Sequence, residues 1–364
     1  MTDYSFSKVF NPKSGWYCGD FPVHTNASMD GDYPPAEVAG KARAEGLDFI
    51  SITDHNTIEG VSKLDENLGL PIIPGIEVTL NKGHFNIFGM REKPHWMDGI
   101  YASKKAVPLP VRHQTVTELM RQTAQEGLLN SINHPLLQPW EWKYSDTDLQ
   151  YIHCVELWND LFWPDNVYAN PKTVELWTTW LNAGYRVTAI GGSDYHYPPK
   201  PEQGLPGERL GQPTTYVYAE ELSVPAILEG LRRQRAYVSR GPRVTFQVEI
   251  GGIIYDIGDD PGEQSGEMKV TVTISNKPDN ILVQLVKNGE ILAKELLKGR
   301  ETNVQFRDRV NPAHSDWYRL DVLDVKGQAL TITNPIFVGP RKHPQIQTYG
   351  ELLNLASSEH DPAS

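Results

Sequence analysis

In the first two-thirds of the chain, one short apolar run after another ends in histidine or a carboxylate. LDFISIT leads into Asp54-His55, LPIIPGIEVTL carries Glu77, and HFNIFGM opens on His84. LLNSINHP ends on His134, and RVTAIGGSDYH ends on Asp194 and His196. Ahead of these lie Asp20-Phe-Pro-Val-His24 and Ser28-Met-Asp30. Ionisable groups are costly in a core unless they are paired or liganded. The fold must therefore carry these run ends to a common place. Helical patterns separate the runs: AEVAGKARAEG after Pro34-Pro35, TVTELMRQTAQEG, and KTVELWTTWLNAG, with Gly46 and Gly184 as stops. This alternation predicts an α/β fold with a largely parallel, barrel-like sheet whose strand ends meet on one face.

Near Arg240-Gly241-Pro242 the pattern changes. RVTFQVEI, MKVTVTIS, NILVQLVKNGEILAKEL, NVQFRDRV, WYRLDVLD and ALTITNPIFVG read as short strands. Asn288-Gly289 between apolar runs signals a hairpin, and Lys326-Gly327 a second turn. The expected layout is a barrel over residues 1–242, a β-sandwich over 243–340, and a tail over 341–364 that packs back as a short helix.

The composition narrows the function. The 364 residues carry 34 Lys and Arg against 46 Asp and Glu, a net charge of −12, which argues against a nucleic-acid backbone binder. The two cysteines, Cys18 and Cys154, cannot build a disulfide framework or a cysteine-rich zinc module. No run reaches the roughly 20 apolar residues that span a bilayer, and MTDYSFSKVF lacks the basic and apolar regions of a secretion signal. The expectation is a cytoplasmic protein with no membrane partner and a small-molecule substrate.

Imidazole and carboxylate on one rim, without thiolate, suit Zn, Mn or Fe. A carboxylate such as Glu77 can bridge two ions, and a pair of ions can activate water. Each residue alone has an ordinary reading: Asp54 as a helix cap, His134-Pro135 as a turn, a lone histidine as a surface residue. It is their recurrence at successive strand ends that selects metal chemistry.

These residues resemble a known family. Asp20–Thr25 with Asp30-Gly31, then Thr53-Asp54-His55-Asn56, Glu77, His134 and Gly192-Ser-Asp-Tyr-His196 are similar to the motifs of the PHP (polymerase and histidinol phosphatase) metal-dependent phosphoesterases. GHFNIFG, INHP, VELWN and GGSDYH with a β-rich C-terminal region resemble its CehA/McbA-like branch. The resemblance covers roughly residues 15–240. It implies a distorted (β/α)7 barrel and two or three divalent ions (Mn, Fe or Zn). It implies His24, Glu77 and Asp194 at the first ion, Glu77, His134 and His84 at the second, and Asp30, His55 and His196 at the third. Asn86, on the same strand face, is the alternative to His84. The family's first histidine would fall at position 22, which is Pro22 here, so the first site keeps three protein ligands.

The activity so implied is hydrolysis of a phosphoester by water activated at the ions. His196 or Asp30 manages protons, and Asp54 joins the catalytic group by fixing an imidazole rather than by ligating. Arg209 is a candidate for gripping an anionic substrate and Asn159 for pointing into the site. Trp158, Trp163 and Tyr195 are candidates for an aromatic wall. The alternatives are a carboxyl-ester or carbamate hydrolase on the same site, or a degenerate barrel in which the sandwich has a binding role.

Overall fold

The structure, a computed structural model, describes residues 6–62, 64, 68–100, 106–108, 115–200 and 207–359. The last residues of the expected tail, 360–364, lie outside the described residues. In chain order the first elements are β1 (Gly15–Val23), α1 (Pro35–Ala44), β2 (Phe49–Ile52), α2 (Glu59–Ser62), β3 (Ile72–Leu80) and β4 (Gly83–Phe88). They are followed by α3 (Val116–Gln125), β5 (Leu129–Ile132), β6 (Cys154–Asn159), α4 (Asn166–Asn182), β7 (Thr188–Gly192), β8 (Thr214–Ala219), α5 (Val224–Arg232) and β9 (Ala236–Ser239).

Local chemistry sets the helix ends. Pro35 opens α1, where its missing N–H costs nothing, with Glu37 in the first turn and Lys41 and Arg43 in the last. The Thr115 hydroxyl caps α3 by accepting from the Glu118 N–H, and α3 buries Val116, Leu119, Met120 and Thr123. Helix α4 starts at Asn166, ahead of the expected Lys172, and holds Pro171 inside it. Proline at that place removes a backbone donor, so the helical sequence pattern is regular only after it.

The expected parallel sheet is corrected in its middle. β1–β2, β2–β3, β5–β6 and β6–β7 pair parallel, but β4 runs antiparallel to both β3 and β5. Only Asn81 and Lys82 separate β3 from β4, too short a link for the crossover that parallel neighbours require. β8 is antiparallel to β1, and β9 to β8. The expected barrel is not closed by a ladder among the described residues. The free edge of β7 meets its neighbours through the isolated bridge Val23–Tyr195 and through Thr215 Oγ1, which accepts from the Gly191 N–H at 2.8 Å.

Beyond position 242 come β10 (Arg243–Ile250), β11 (Ile253–Asp256), β12 (Gly266–Ser275), β13 (Ile281–Lys287), β14 (Glu290–Leu297) and β15 (Asn303–Val310). β16 (Asp316–Asp324), β17 (Ala329–Thr333), β18 (Ile336–Val338) and α6 (Tyr349–Glu359) complete the chain. β11, β10, β12 and β15 form one sheet; β14, β13, β16 and β17 continue through β9 into β8, β1 and the rest of the first sheet. The boundary expected at 242 is therefore no break in hydrogen bonding: Thr331, Ile332 and Thr333 pair with Ser239, Val238 and Tyr237. Alternate residues of the two C-terminal sheets, among them Val244, Phe246, Val270, Val272, Val283 and Leu320, share one apolar cluster. Asn288 and Gly289 both have positive φ, as the β13–β14 hairpin turn requires. α6 packs on α4.

The core places the site. Phe21, Phe49, Ile73, Phe88, Leu129, Cys154, Ile190 and Val217 make one buried cluster with a residue from each of eight strands. In the parallel strands β3 and β7 the site residue follows its core residue: Glu77 after Ile73, Asp194 after Ile190. In antiparallel β4 the order reverses, and His84 precedes Phe88. All of these side chains thus emerge on the same side of the apolar cluster.

Candidate metal centre

Glu77, buried on β3, is the hub. Its Oε2 lies 3.2 Å from His24 Nε2, and its Oε1 lies 2.8 Å from His84 Nδ1, 3.9 Å from His134 Nε2 and 3.8 Å from His55 Nδ1. Potential ligand atoms gather in three overlapping groups: His24, Glu77 and Asp194; Glu77, His84 and His134; His24, His55 and His196. Within each group the atoms lie within 4.8 Å of one another. Asp30 adjoins the last group, 3.5 Å from His55 Nε2 and 3.8 Å from His196 Nε2. Pro22 is buried in β1 and offers no donor.

Backbone geometry aims these groups. His134 and Asp194 have φ of 29° and 51°, and Asn56, next to His55, also has 51°. Left-handed backbone at non-glycine residues is rare and gathers where function over-determines the chain. The buried Asp20 carboxylate accepts from the Ser193 N–H and hydroxyl at 2.7 and 2.6 Å and from the Gly211 N–H at 2.6 Å. A Cβ on Gly192 would stand 1.9 Å from the Phe21 carbonyl oxygen, so only glycine lets this turn reach β1.

Asp54 stands beside the candidate ligand groups and not among them. Its Oδ1 accepts from Thr25 N–H at 2.7 Å and from Ser28 N–H at 3.2 Å, and Thr25 Oγ1 lies 2.9 Å from Oδ2. It shapes the loop that carries His24 and Asp30. Ser28 Oγ in turn accepts from the His55 N–H and lies 3.2 Å from His24 Nδ1. Asn159 reaches the cavity but is committed: its Nδ2 donates to Glu156 Oε1 and Asp194 Oδ2, and its Oδ1 accepts from Asn166. Arg209 is exposed, sits 5.0 Å over the Phe162 ring and does not line the cavity. Of the proposed aromatic wall, Trp158 and Tyr195 are buried in apolar clusters. Trp163 lines the cavity, joined by Trp140 and Tyr197.

Sequence reasoning missed Glu156, Asp160 and Glu208. Glu156 is buried on β6 and accepts from the His134 N–H at 2.7 Å. A carboxylate in the middle of the apolar run CVELWN was a usable signal. Asp160 and Glu208 come from loops without a pattern.

The electrostatics follow from burial among opposed charges. Burial opposes charge on His24, but the Asp194 and Glu77 carboxylates outweigh it and hold the imidazole pKa well above its ordinary value. His134 is likewise resisted by burial and raised to about 9 by Glu77 and Glu156. Burial lowers His84, and lowers His196 to about 4 with help from the charge of His24. Burial works against ionised Glu77 and Asp194, yet the surrounding imidazoles hold both carboxyls below the usual range. Burial pushes Glu156 up to about 8, and Asp160 and Glu208 to about 7.

A divalent cation fits this donor set. Glu77 Oε2, His84 Nδ1 and His134 Nδ1 are buried and make no hydrogen bond, although Oε2 stands 3.2 Å from His24 Nε2 and His84 Nδ1 stands 2.8 Å from Glu77 Oε1. Buried donor atoms left so are the mark of a site that takes an ion. Nitrogen and carboxylate oxygen without sulfur favour the Zn, Mn and Fe class. The groups open into a cavity of about 290 Å³. A cavity of about 330 Å³ between the end of α4 and residues 337–342, elsewhere in the fold, has no such cluster.

Residues 20–157 match the PHP domain. Asp194 and His196 lie beyond the matched segment yet join its ligand groups. A stretch of 119 residues is 29% identical to a 5'-3' exoribonuclease of Haemophilus influenzae. The match takes in 31% of this chain, and the chain spans about two-fifths (42%) of the length of that curated relative. Among solved structures, the chain is similar to a two-domain protein of Bacteroides vulgatus containing a predicted PHP-like metal-dependent phosphoesterase, at 19% identity and a TM-score of 0.46 over 91% of this chain and 98% of that one. It is also similar to an amidohydrolase of Chromobacterium violaceum, at 15% identity and a TM-score of 0.35 over 52% of this chain and 90% of that one. No helix among the described residues is long and apolar enough to cross a membrane.

Proposed function

We propose that the protein is a metal-dependent hydrolase, a phosphoesterase of the PHP kind, which resembles the CehA/McbA-like branch in the motifs GHFNIFG, INHP, VELWN and GGSDYH. The observation that carries this reading is Glu77, whose two oxygens face two different histidine groups. His24, Glu77 and Asp194 would hold one divalent ion, Glu77, His84 and His134 a second, and His55 and His196 with Asp30 a third. Bound there, the ions supply Lewis acidity and lower the pKa of water. The chain's own residues do the rest. Asp20 and Asn159 orient Asp194, Glu156 fixes the His134 backbone, and Asp54 with Ser28 fixes the His24–Asp30 loop. His196 and Asp30 line the cavity, and a member of this pair not engaged by an ion would hold or pass a proton.

A second reading, carboxyl-ester or carbamate hydrolysis, is favoured by one feature: among the described residues no lysine or arginine lines the cavity to grip a phosphoryl group. The test combines metal analysis of the purified protein with turnover of p-nitrophenyl phosphate, bis-p-nitrophenyl phosphate and p-nitrophenyl acetate in added manganese. Phosphoester turnover that chelation abolishes supports the first reading, and acetate turnover alone supports the second. Activity indifferent to chelation, or a protein that takes up no metal, overturns both.

A further inference from the structure

The cavity of about 330 Å³ takes its walls from four places: the end of α4, the β13–β14 turn, the start of β16 and the segment after β18. Close backbone approach and side-chain bonds build it. A Cβ on Gly184, at φ 98°, would stand 3.1 Å from the carbonyl oxygens of Lys342 and His343, so glycine lets this segment lie against the end of α4. The Asn182 amide donates to the Asn288 carbonyl at 3.1 Å and accepts from Trp317 Nε1 at 2.9 Å, which ties three of the walls together. The walls carry more positive charge than negative. Asp316 is matched by Lys287 at 3.1 Å, and Arg186 by Asp260 at 2.7 Å. Arg341 and Lys342 remain, and neither has a carboxylate partner among the described residues. The Lys342 ammonium is held at the wall by the Asn182 carbonyl, 2.6 Å away, which uses one of its three donors. The Arg186 guanidinium lies 4.4 Å from the centre of the Phe337 ring, another part of the wall. This excess of cations stands on a chain whose net charge is −12.

We infer that this cavity is a second binding site, for a small organic molecule that carries a dianionic phosphoryl head. An ammonium and a guanidinium fork both suit phosphoryl oxygens, through charge-assisted hydrogen bonds. A head of two negative charges answers the two cations that the chain leaves unmatched. The volume of about 330 Å³ has room for more than a bare inorganic ion and lies within the range of small-molecule pockets, about 300–1,000 Å³. Trp317 and Phe337 give the organic part an apolar surface. The site is separate from the metal centre. The 17 residues of α4 span about 25 Å; its first residue, Asn166, bonds Asn159 beside the metal groups, and its last, Asn182, lines this cavity. The inference therefore stands apart from the hydrolase reading.

Phenylphosphonate is the probe, because its carbon–phosphorus bond resists hydrolysis. Calorimetric titration of the metal-loaded protein should show a binding event that the double variant Arg341→Ala/Lys342→Ala weakens by at least about tenfold. Both side chains are exposed, so this variant should keep the wild-type melting temperature and metal content. Glu77→Gln, which disturbs the metal centre, should leave the event in place. Inorganic phosphate should bind about tenfold more weakly than phenylphosphonate at this site. A double variant that titrates like wild type overturns the inference, and so does inorganic phosphate binding as tightly as the phosphonate. Diffraction from wild-type crystals at saturating phenylphosphonate decides independently of any variant. Phosphorus beside Lys342 supports the assignment, and phosphonate at the metal centre with this cavity empty refutes it.

Discussion

Asp20 and Ser193 clasp each other from opposite ends of the α/β region: both oxygens of the one carboxylate accept from the backbone N–H and the hydroxyl of the other residue. Gly211 adds a third donor. Burial pushes the Asp20 carboxyl up to about 7, against the pull of those donors. The clasp joins β1 to the turn after β7, where no strand ladder does, and so it holds Asp194 beside His24.

Asp20→Asn replaces an acceptor with a donor facing donors. It should cost about 1–3 kcal/mol of stability, the usual penalty for buried groups left unpaired. Because Asp194 is displaced with it, metal affinity should fall as well. Urea unfolding and metal titration measure the two effects, and a variant matching wild type in both would discount the clasp.

Asp54→Asn separates a positioning role from a catalytic one. Loosening the His24–Asp30 loop should weaken metal binding about 10–100-fold, as for other residues that orient ligands. Excess manganese should then restore most of the turnover. Turnover that stays low at saturating metal would return Asp54 to the chemistry.

Glu77→Gln removes the shared carboxylate. Metal content should drop by more than one ion per chain, because two ligand groups lose a member, and turnover should fall by more than about a hundredfold. Elemental analysis showing the loss of a single ion would mean that Glu77 does not bridge.

His153 sets a pH dependence away from the metal groups. Its Nδ1 lies 3.1 Å from the Asn130 N–H, which requires the neutral ring to accept. Burial, reinforced by Arg232, lowers its pKa to about 4. The unfolded chain protonates near pH 6.5 and the folded chain only near 4, so between these values the unfolded state binds more protons. Stability is therefore lost as pH falls through that window. His153→Asn keeps an acceptor but not the titration. Relative to it, wild type should lose about 1–2 kcal/mol between pH 7 and 4. Parallel stability curves for the two proteins would exclude His153 as the source.

Chelation should lower the melting temperature by several degrees at neutral pH. An ion that binds only the folded site adds about 2.7 kcal/mol at a hundred times its dissociation constant. Scanning calorimetry with and without EDTA measures the difference, and identical melts would count against metal uptake by the folded protein.

Much of the site was legible because strand ends are local in sequence. Asp54-His55, His134 and Asp194–His196 each close an apolar run, and that pattern alone brought them to one face. The hairpin at Asn288-Gly289 was legible for the same reason, since its turn needs residues that accept positive φ. The direction of β4 was harder to see, because an alternating run reads the same in either direction. Glu156 was hidden within an apolar run, and Asp160 and Glu208 in loops whose composition says nothing of what they will face. Trp158, Trp163 and Tyr195 look alike as aromatics, and packing alone sends two into apolar clusters and one to the cavity.

The sequence by itself determined which residues could serve as ligands and that they stand at the ends of buried strands, because periodicity and the cost of a buried charge act over a few residues. Only the tertiary structure decided that Glu77 stands between histidine groups, that Asp54 orients a loop, that Arg209 turns to Phe162, and that the sheet runs unbroken past position 242. Those outcomes depend on distances between segments far apart in the chain, and such distances exist only once the core has packed.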